Sequence, residues 1–219
     1  MSLPYNPRMP WHLRPATAAD ADAAVPLIYS SGPAAFDFVF SVPDRSSALD
    51  FLRHAFLDGA GEFGFRNHVV AEHDGAVGAV GAAWGHTSNL GFAFAAARQI
   101  LACYGPLVAP GVILRGLRIE SVIPPPSRGL HYLAHLGVQP AIRGQGGGGA
   151  LIEHLLAKGR AQGRPVAALD VAATNPRAQS LYERLGFQVT RERVSHLTNA
   201  QATVSNHRRM ELLLRDRRD

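Results

Sequence analysis

HYLAHLGVQPAIRGQGGGGALIEHLLAKGRAQGRPVAALDVAATNPRAQSLYERLGF, residues 131–187, reads as strand, turn, glycine-rich loop, helix, strand, and a last helix opened by Asn175 and carrying Tyr182. The loop is Arg143-Gly144-Gln145-Gly146-Gly147-Gly148-Gly149, and the apolar run Ala150-Leu151-Ile152 to Leu155-Leu156 follows at once. A helix opened by residues without side chains leaves several backbone N–H groups pointing outward at the positive end of the helix dipole. Such a cradle suits an anion, and best a pyrophosphate.

Outward from this stretch the pattern alternates between helix and strand. Leu13 to Thr17 reads as a short strand, with Thr17 as N-cap of a helix from Ala19 to Tyr29 that Ser31-Gly32-Pro33 stops. A second helix covers Arg45 to Leu57. His68–Glu72 and Ala76–Trp84 read as strands around His73-Asp74-Gly75, and an Asp-Gly between apolar runs is a strong hairpin signal. From Gly85 the pattern turns irregular, with an apolar helix near Phe92 to Tyr104 and then Pro106, Pro110 and Pro124-Pro125-Pro126. Residues 85–129 are too long for an ordinary connection and read as an insertion, a lid or a dimer contact. After the glycine loop its helix runs to about Gln162, Pro165–Val171 is a strand, and Phe187–Arg193 and Arg208–Leu214 make a final strand pair. The expectation is one α+β domain over residues 12–219, preceded by a frayed or extended leader over 1–11. Its mixed, mostly antiparallel sheet of about six or seven strands carries about four flanking helices.

Composition narrows the function. The 219 residues are 47% hydrophobic, enough for a sizeable core. No apolar run is read as the roughly 20 residues that span a bilayer, so no membrane segment is expected. Cys103, the only cysteine, rules out an intrachain disulfide and fits a reducing, cytoplasmic setting; in its apolar helix it reads as a buried, inert thiol. The net charge of +5 is modest and scattered, without aromatic interleaving, so nucleic acid is not an expected partner. His131 and His135 lie about 13 Å apart on an extended strand, a poor metal pair, and no metal is expected.

The glycine loop admits two frames. Gly144-x-Gly146-x-x-Gly149 fits the dinucleotide fingerprint, with Asp170 near the place of a ribose-binding acid. Against it, Gln139 to Arg143 separates the strand from the first glycine, some 130 residues precede the motif, and only about 50 follow Asp170. The other frame is Arg143-x-x-Gly146-x-Gly148 after Leu136-Gly137-Val138-Gln139-Pro140. In this frame the chain resembles the GNAT superfamily of acyl-CoA-dependent N-acetyltransferases. The helix Asn175, Ala178, Leu181-Tyr182-Glu183-Arg184-Leu185-Gly186-Phe187 is similar to that family's, as is the opening Leu13 to Asp20.

The resemblance implies acetyl-CoA as cosubstrate and a small-molecule or peptide amine as acceptor. It implies that Arg143, Gly144, Gln145, Gly146, Gly147 and Gly148 hold the pyrophosphate, and that a bulge at Leu136-Gly137-Val138 pairs with the pantetheine arm. Asn175 would touch that arm and Tyr182 would act as general acid for the thiolate. Asp170 stands where ribosomal-protein-type relatives carry a glutamate proposed as base; it is one methylene shorter, which favours a water relay. His131 and His135 take the parity opposite to Tyr132, and either could serve as base if the bulge shifts that parity. Phe36, Phe38, Phe40 and the insertion are candidate acceptor walls. A homodimer and a silent acyl-CoA-binding domain remain open alternatives.

Overall fold

The computed structural model describes residues 11–214; residues 1–10 of the expected leader and the tail from Arg215 to Arg218 lie outside them. Seven strands form one sheet in the order β1-β2-β3-β4-β5-β7-β6. They are β1 His12–Pro15, β2 His68–His73, β3 Ala76–Trp84, β4 Leu130–Val138, β5 Val166–Ala172, β6 Gln188–Arg193 and β7 His207–Leu213. Only β4 and β5 run parallel; every other neighbour pair is antiparallel. This is the mixed sheet the pattern implied, and it is not the doubly wound sheet of the dinucleotide alternative. The β2–β3 turn forms at Asp74 and Gly75, both at positive φ (52° and 74°), as a two-residue hairpin of right-handed strands demands.

Alternate side chains of each strand feed two cores. Val70, Val77 and Val80 point to the face covered by α1 Ala21–Ser30, α2 Pro33–Phe40, α3 Ala48–Asp58 and α4 Asn89–Ile119. Ala71, Ala79 and Leu133 point to the face covered by α5 Gly147–Ala161 and α6 Pro176–Arg184. The described residues thus hold six α-helices where about four flanking helices and a helical insertion were expected. The added one is α2. Gly32-Pro33 stops α1 as read, but Pro33 then serves as the first residue of a new helix, where its missing N–H costs nothing.

The insertion is more regular than its prolines suggested. α4 continues to Ile119, broken at Gly105 (φ 72°, ψ 169°), and Pro106 opens the second arm. By length and composition the stretch His86–Ile119 reaches what a membrane-crossing helix needs, contrary to expectation. Here it is bent, and Ile100, Tyr104, Ala109 and Val112 are buried against α2 and α3. Close approach of helix and sheet is fixed at Gly137, where a Cβ would collide with the Leu27 carbonyl of α1.

Candidate active site

The site begins where two strands part. β4 and β5 pair only from Leu130↔Val166 to Tyr132↔Ala168, while β5 stays paired with β7 along its whole length. Beyond Tyr132 the β5-facing edge of β4 has no strand beside it. The gap opens into a cleft of about 980 Å³ that reaches the glycine loop, α6 and α4. That volume lies near the top of the ~300–1,000 Å³ range of small-ligand pockets, room for a long cofactor and a second substrate.

At one end, Gly146 adopts φ 94° and caps α5 with backbone alone, a conformation a β-carbon would strain. Ala150 makes the first helical bond, to the Gly146 carbonyl at 2.9 Å. The N–H groups of Gly144 and of Gly146 to Gly149 meet no acceptor among the described residues, and these five glycines line the cleft. Gln145 is the exception among the expected cradle residues. Its N–H goes to the Ile142 carbonyl (3.4 Å), and its carbonyl accepts the Trp11 indole N–H (3.2 Å), so it faces away from the cleft. Trp11, expected in the leader, is thus part of the loop's support. Arg143 lines the cleft and donates from Nε to the Val138 carbonyl at 3.2 Å.

On α6, Asn175 accepts the Ala178 N–H (3.1 Å) as N-cap, and the same residue lines the cleft. Tyr182 is 9% exposed and lies edge-on to Phe187. Its hydroxyl has no partner among the described residues and opens on the cleft, and burial pushes its pKa up to about 12. Arg177 and Arg184, which the motif reading passed over, also line the cleft from α6.

Asp170 does not stand free to take a proton. Its side chain is 1% exposed, Arg209 grips it with Nε to Oδ1 (2.9 Å) and Nη2 to Oδ2 (2.7 Å), and the Tyr132 hydroxyl donates to Oδ2 (2.9 Å). Arg193 stands 3.6 Å from Oδ1. Both carboxylate oxygens are thus engaged by the protein itself, forked by one guanidinium and flanked by another, and Asp170 is held as a structural member of the β5–β7 seam. Arg209 also lies over the Tyr132 ring at 5.2 Å, so the pair braces the floor of the cleft.

The bulge re-aims a histidine. Val80 pairs with Gly137 and Ala82 with Ala134, so His135 and Leu136 together oppose Gly81. His135 sits at φ 57°, a conformation histidine tolerates better than most residues. By parity it would face α5, as His131 does, with Nε2 2.9 Å from the Leu155 carbonyl. The extra residue instead turns His135 to the opposite face, between Phe63 (5.1 Å between ring centroids) and Trp84 (5.8 Å), where it lines the cleft.

His135 Nδ1 lies 3.0 Å from His68 Nε2, and His68 Nδ1 lies 2.9 Å from the Gly64 carbonyl. That carbonyl only accepts, so His68 Nδ1 carries a proton. Burial, then the neighbouring His135, holds the His68 pKa down to about 3, so the ring stays neutral and its Nε2 accepts the His135 Nδ1–H. In this chain of hydrogen bonds the free ring nitrogen of His135 is Nε2, which faces Glu62 Oε1 at 3.4 Å. Neither His68 nor Glu62 carried a sequence signal: one opens a strand and the other sits in the glycine-rich turn after α3.

Of the three phenylalanines read as acceptor walls, Phe36 and Phe40 line the cleft, whereas Phe38 is fully buried beneath the Arg118 guanidinium. Cys103 is half-buried, and burial raises its thiol, as expected of an inert cysteine. Among the described residues no group of three or more His, Cys, Asp or Glu is arranged to hold a metal ion.

This splayed, bulged sheet with a glycine cradle is an acyltransferase architecture. The sequence model of the acetyltransferase (GNAT) family matches residues 36–187, and the chain belongs to that family. No curated protein matches it. Among solved structures it is similar to an N-acetyltransferase from Staphylococcus aureus Mu50, at TM-score 0.67 and 16% identity, over 92% of this chain and 100% of the other. A Drosophila melanogaster polyamine N-acetyltransferase superposes at TM-score 0.55 and 20% identity, covering 93% and 100%. The yncA protein of Salmonella typhimurium, solved with its cofactor acetyl-CoA, gives TM-score 0.53 and 18% identity, covering 96% and 98%.

Proposed function

We propose that the chain transfers an acetyl group from acetyl-CoA to a primary amine by direct attack. The observation that carries this reading is one cleft holding three groups: the open N–H cradle, an unengaged tyrosine hydroxyl and a histidine with a defined tautomer. The yncA structure, which holds acetyl-CoA on the same fold, supports the choice of cosubstrate.

Acetyl-CoA supplies an activated thioester. The N–H groups of Gly144 and Gly146 to Gly149 take its diphosphate at the α5 N-terminus, and Arg143 adds charge. Leu136-Gly137-Val138 offer the free edge of β4 to the pantetheine arm, and Asn175 faces the same arm. His135 Nε2 accepts the amine proton as the nitrogen bonds to the acetyl carbon and the carbon–sulfur bond breaks. Tyr182 donates its hydroxyl proton to the departing sulfur. A phenol at about 12 stays protonated at any physiological pH, so it always offers a donor. A thiolate released into the same dry cleft is raised by burial as well, which keeps the two groups comparable.

A thermal-shift titration tests the cofactor: acetyl-CoA should raise Tm, and stabilisation by NAD alone would sink the reading. Thiol release on an amine panel separates the enzyme from a silent acyl-CoA-binding domain of the same fold. In Tyr182→Phe, kcat should fall on the order of 100-fold while acetyl-CoA affinity holds, since the lost hydroxyl bonds nothing in the protein. An unchanged kcat would remove Tyr182 from the mechanism.

A further inference from the structure

The acceptor end of the cleft is one-sided in its chemistry. Its walls are mostly aromatic and aliphatic: Phe36, Phe63 and Trp84 beside His135, then the two arms of α4 through Leu90, Ile113 and Leu117, with Ser30, Ser31 and Asn89 as the uncharged polar exceptions. Leu90 and Leu117 are 76% and 61% exposed at its mouth. The charged groups lining this end are Glu62 and Glu120, and they lie close enough that Glu62, added to burial, raises Glu120 above the usual carboxylate range. The arginines that line the cleft, Arg143, Arg177 and Arg184, stand on the glycine loop and α6. The negative charge is thus gathered near the His135 imidazole, and the rest of the wall offers no counter-charge.

We infer that the acceptor is a monoamine with one cationic head and an extended apolar body, an aralkylamine or a long alkylamine. This rests on the acetyl-transfer reading above. The ammonium enters between Glu62 and Glu120 and gives its first proton to solvent at the mouth of the cleft; the neutral amine then attacks the acetyl carbon as His135 Nε2 takes the second proton and Tyr182 protonates the departing sulfur. The body lies along both arms of α4. A diamine or polyamine of equal length would hold its second ammonium hydrated at the open mouth beside Leu90 and Leu117, and so forfeit the apolar contact that an alkyl body makes there. An aminoglycoside carries more hydroxyls and ammonium groups than Ser30, Ser31 and Asn89 can pair along this wall.

The test is a thiol-release assay with saturating acetyl-CoA on butylamine, hexylamine, octylamine and 2-phenylethylamine, beside 1,8-diaminooctane, spermidine, an aminoglycoside and a short peptide with a free N-terminus. The expected result is a kcat/KM that rises roughly fourfold per added methylene from butyl to octyl. The diamine should fall about tenfold below octylamine, the loss of roughly two methylenes of apolar contact. Leu117→Asp, at an exposed position that spares the fold, should lower kcat/KM for octylamine about tenfold and leave the KM for acetyl-CoA unchanged. A flat length series, or preference for spermidine, the aminoglycoside or the peptide, overturns the inference. Stabilisation by acetyl-CoA with turnover of none of these amines overturns the acceptor class alone, whereas absence of that stabilisation overturns the acetyl-transfer reading with it.

Discussion

His135→Asn is expected to lower kcat by between about 10² and 10⁴, the range that a positioned general base contributes. Asparagine is the informative substitute because it tolerates the left-handed backbone at φ 57°, so the bulge survives. It removes the one nitrogen whose lone pair faces the cleft. The neutral His68 ring behind it makes the effect specific: with His68 accepting at Nε2, His135 can exchange a proton only at its own Nε2. Two readouts separate chemistry from damage. Tm should stay within a few degrees of the parent, because the bulge survives. Acetyl-CoA affinity should stay within a few-fold, because the cradle lies on another element. A variant with parental kcat would show that the proton leaves by another route.

Asp170→Ala should be felt in stability first. The carboxylate is held by Arg209 in a fork at 2.9 and 2.7 Å, and both side chains are almost wholly buried. Removing one member of such a pair leaves an uncompensated charge in the core, at a cost of about 3–5 kcal/mol. For a chain of this size that lowers Tm by roughly 10 °C or more. Urea unfolding would read it directly, and the double variant Asp170→Ala/Arg209→Met should recover most of the loss, because the stranded guanidinium goes with it. Loss of activity in Asp170→Ala with Tm and unfolding midpoint at parental values would restore Asp170 as the base.

These two residues mark where the sequence could and could not be read. The cradle was legible because its cause is local: glycines ahead of an apolar helical run need no partner elsewhere to define the helix start. The same holds for Asn175 as a cap and for the Asp74-Gly75 hairpin. The sheet was legible too, since its strands alternate and their turns are marked. Parity, by contrast, is reset by a single unpaired residue. Nothing in Ala134-His135-Leu136 says that His135 crosses to the other face; the register of β3 against β4 decides it. The partners of Asp170 were hidden for a related reason, since Arg209 meets it across 39 positions of chain. Gln145 and Trp11 show the limit at close range: the glycine loop was placed correctly, yet which of its members turns away depends on an indole 134 residues earlier. The insertion misled because prolines were taken as breaks, whereas Pro106 opens an arm after Gly105 and Pro110 lies within its first turns.

The hinged α4 hangs between two strands without joining the sheet, and it supplies much of one wall of the cleft. A roof attached in this way can be lengthened, shortened or grafted from a relative while the thioester seat below stays intact. Selectivity for the incoming nucleophile can therefore drift on its own, one turn of helix at a time.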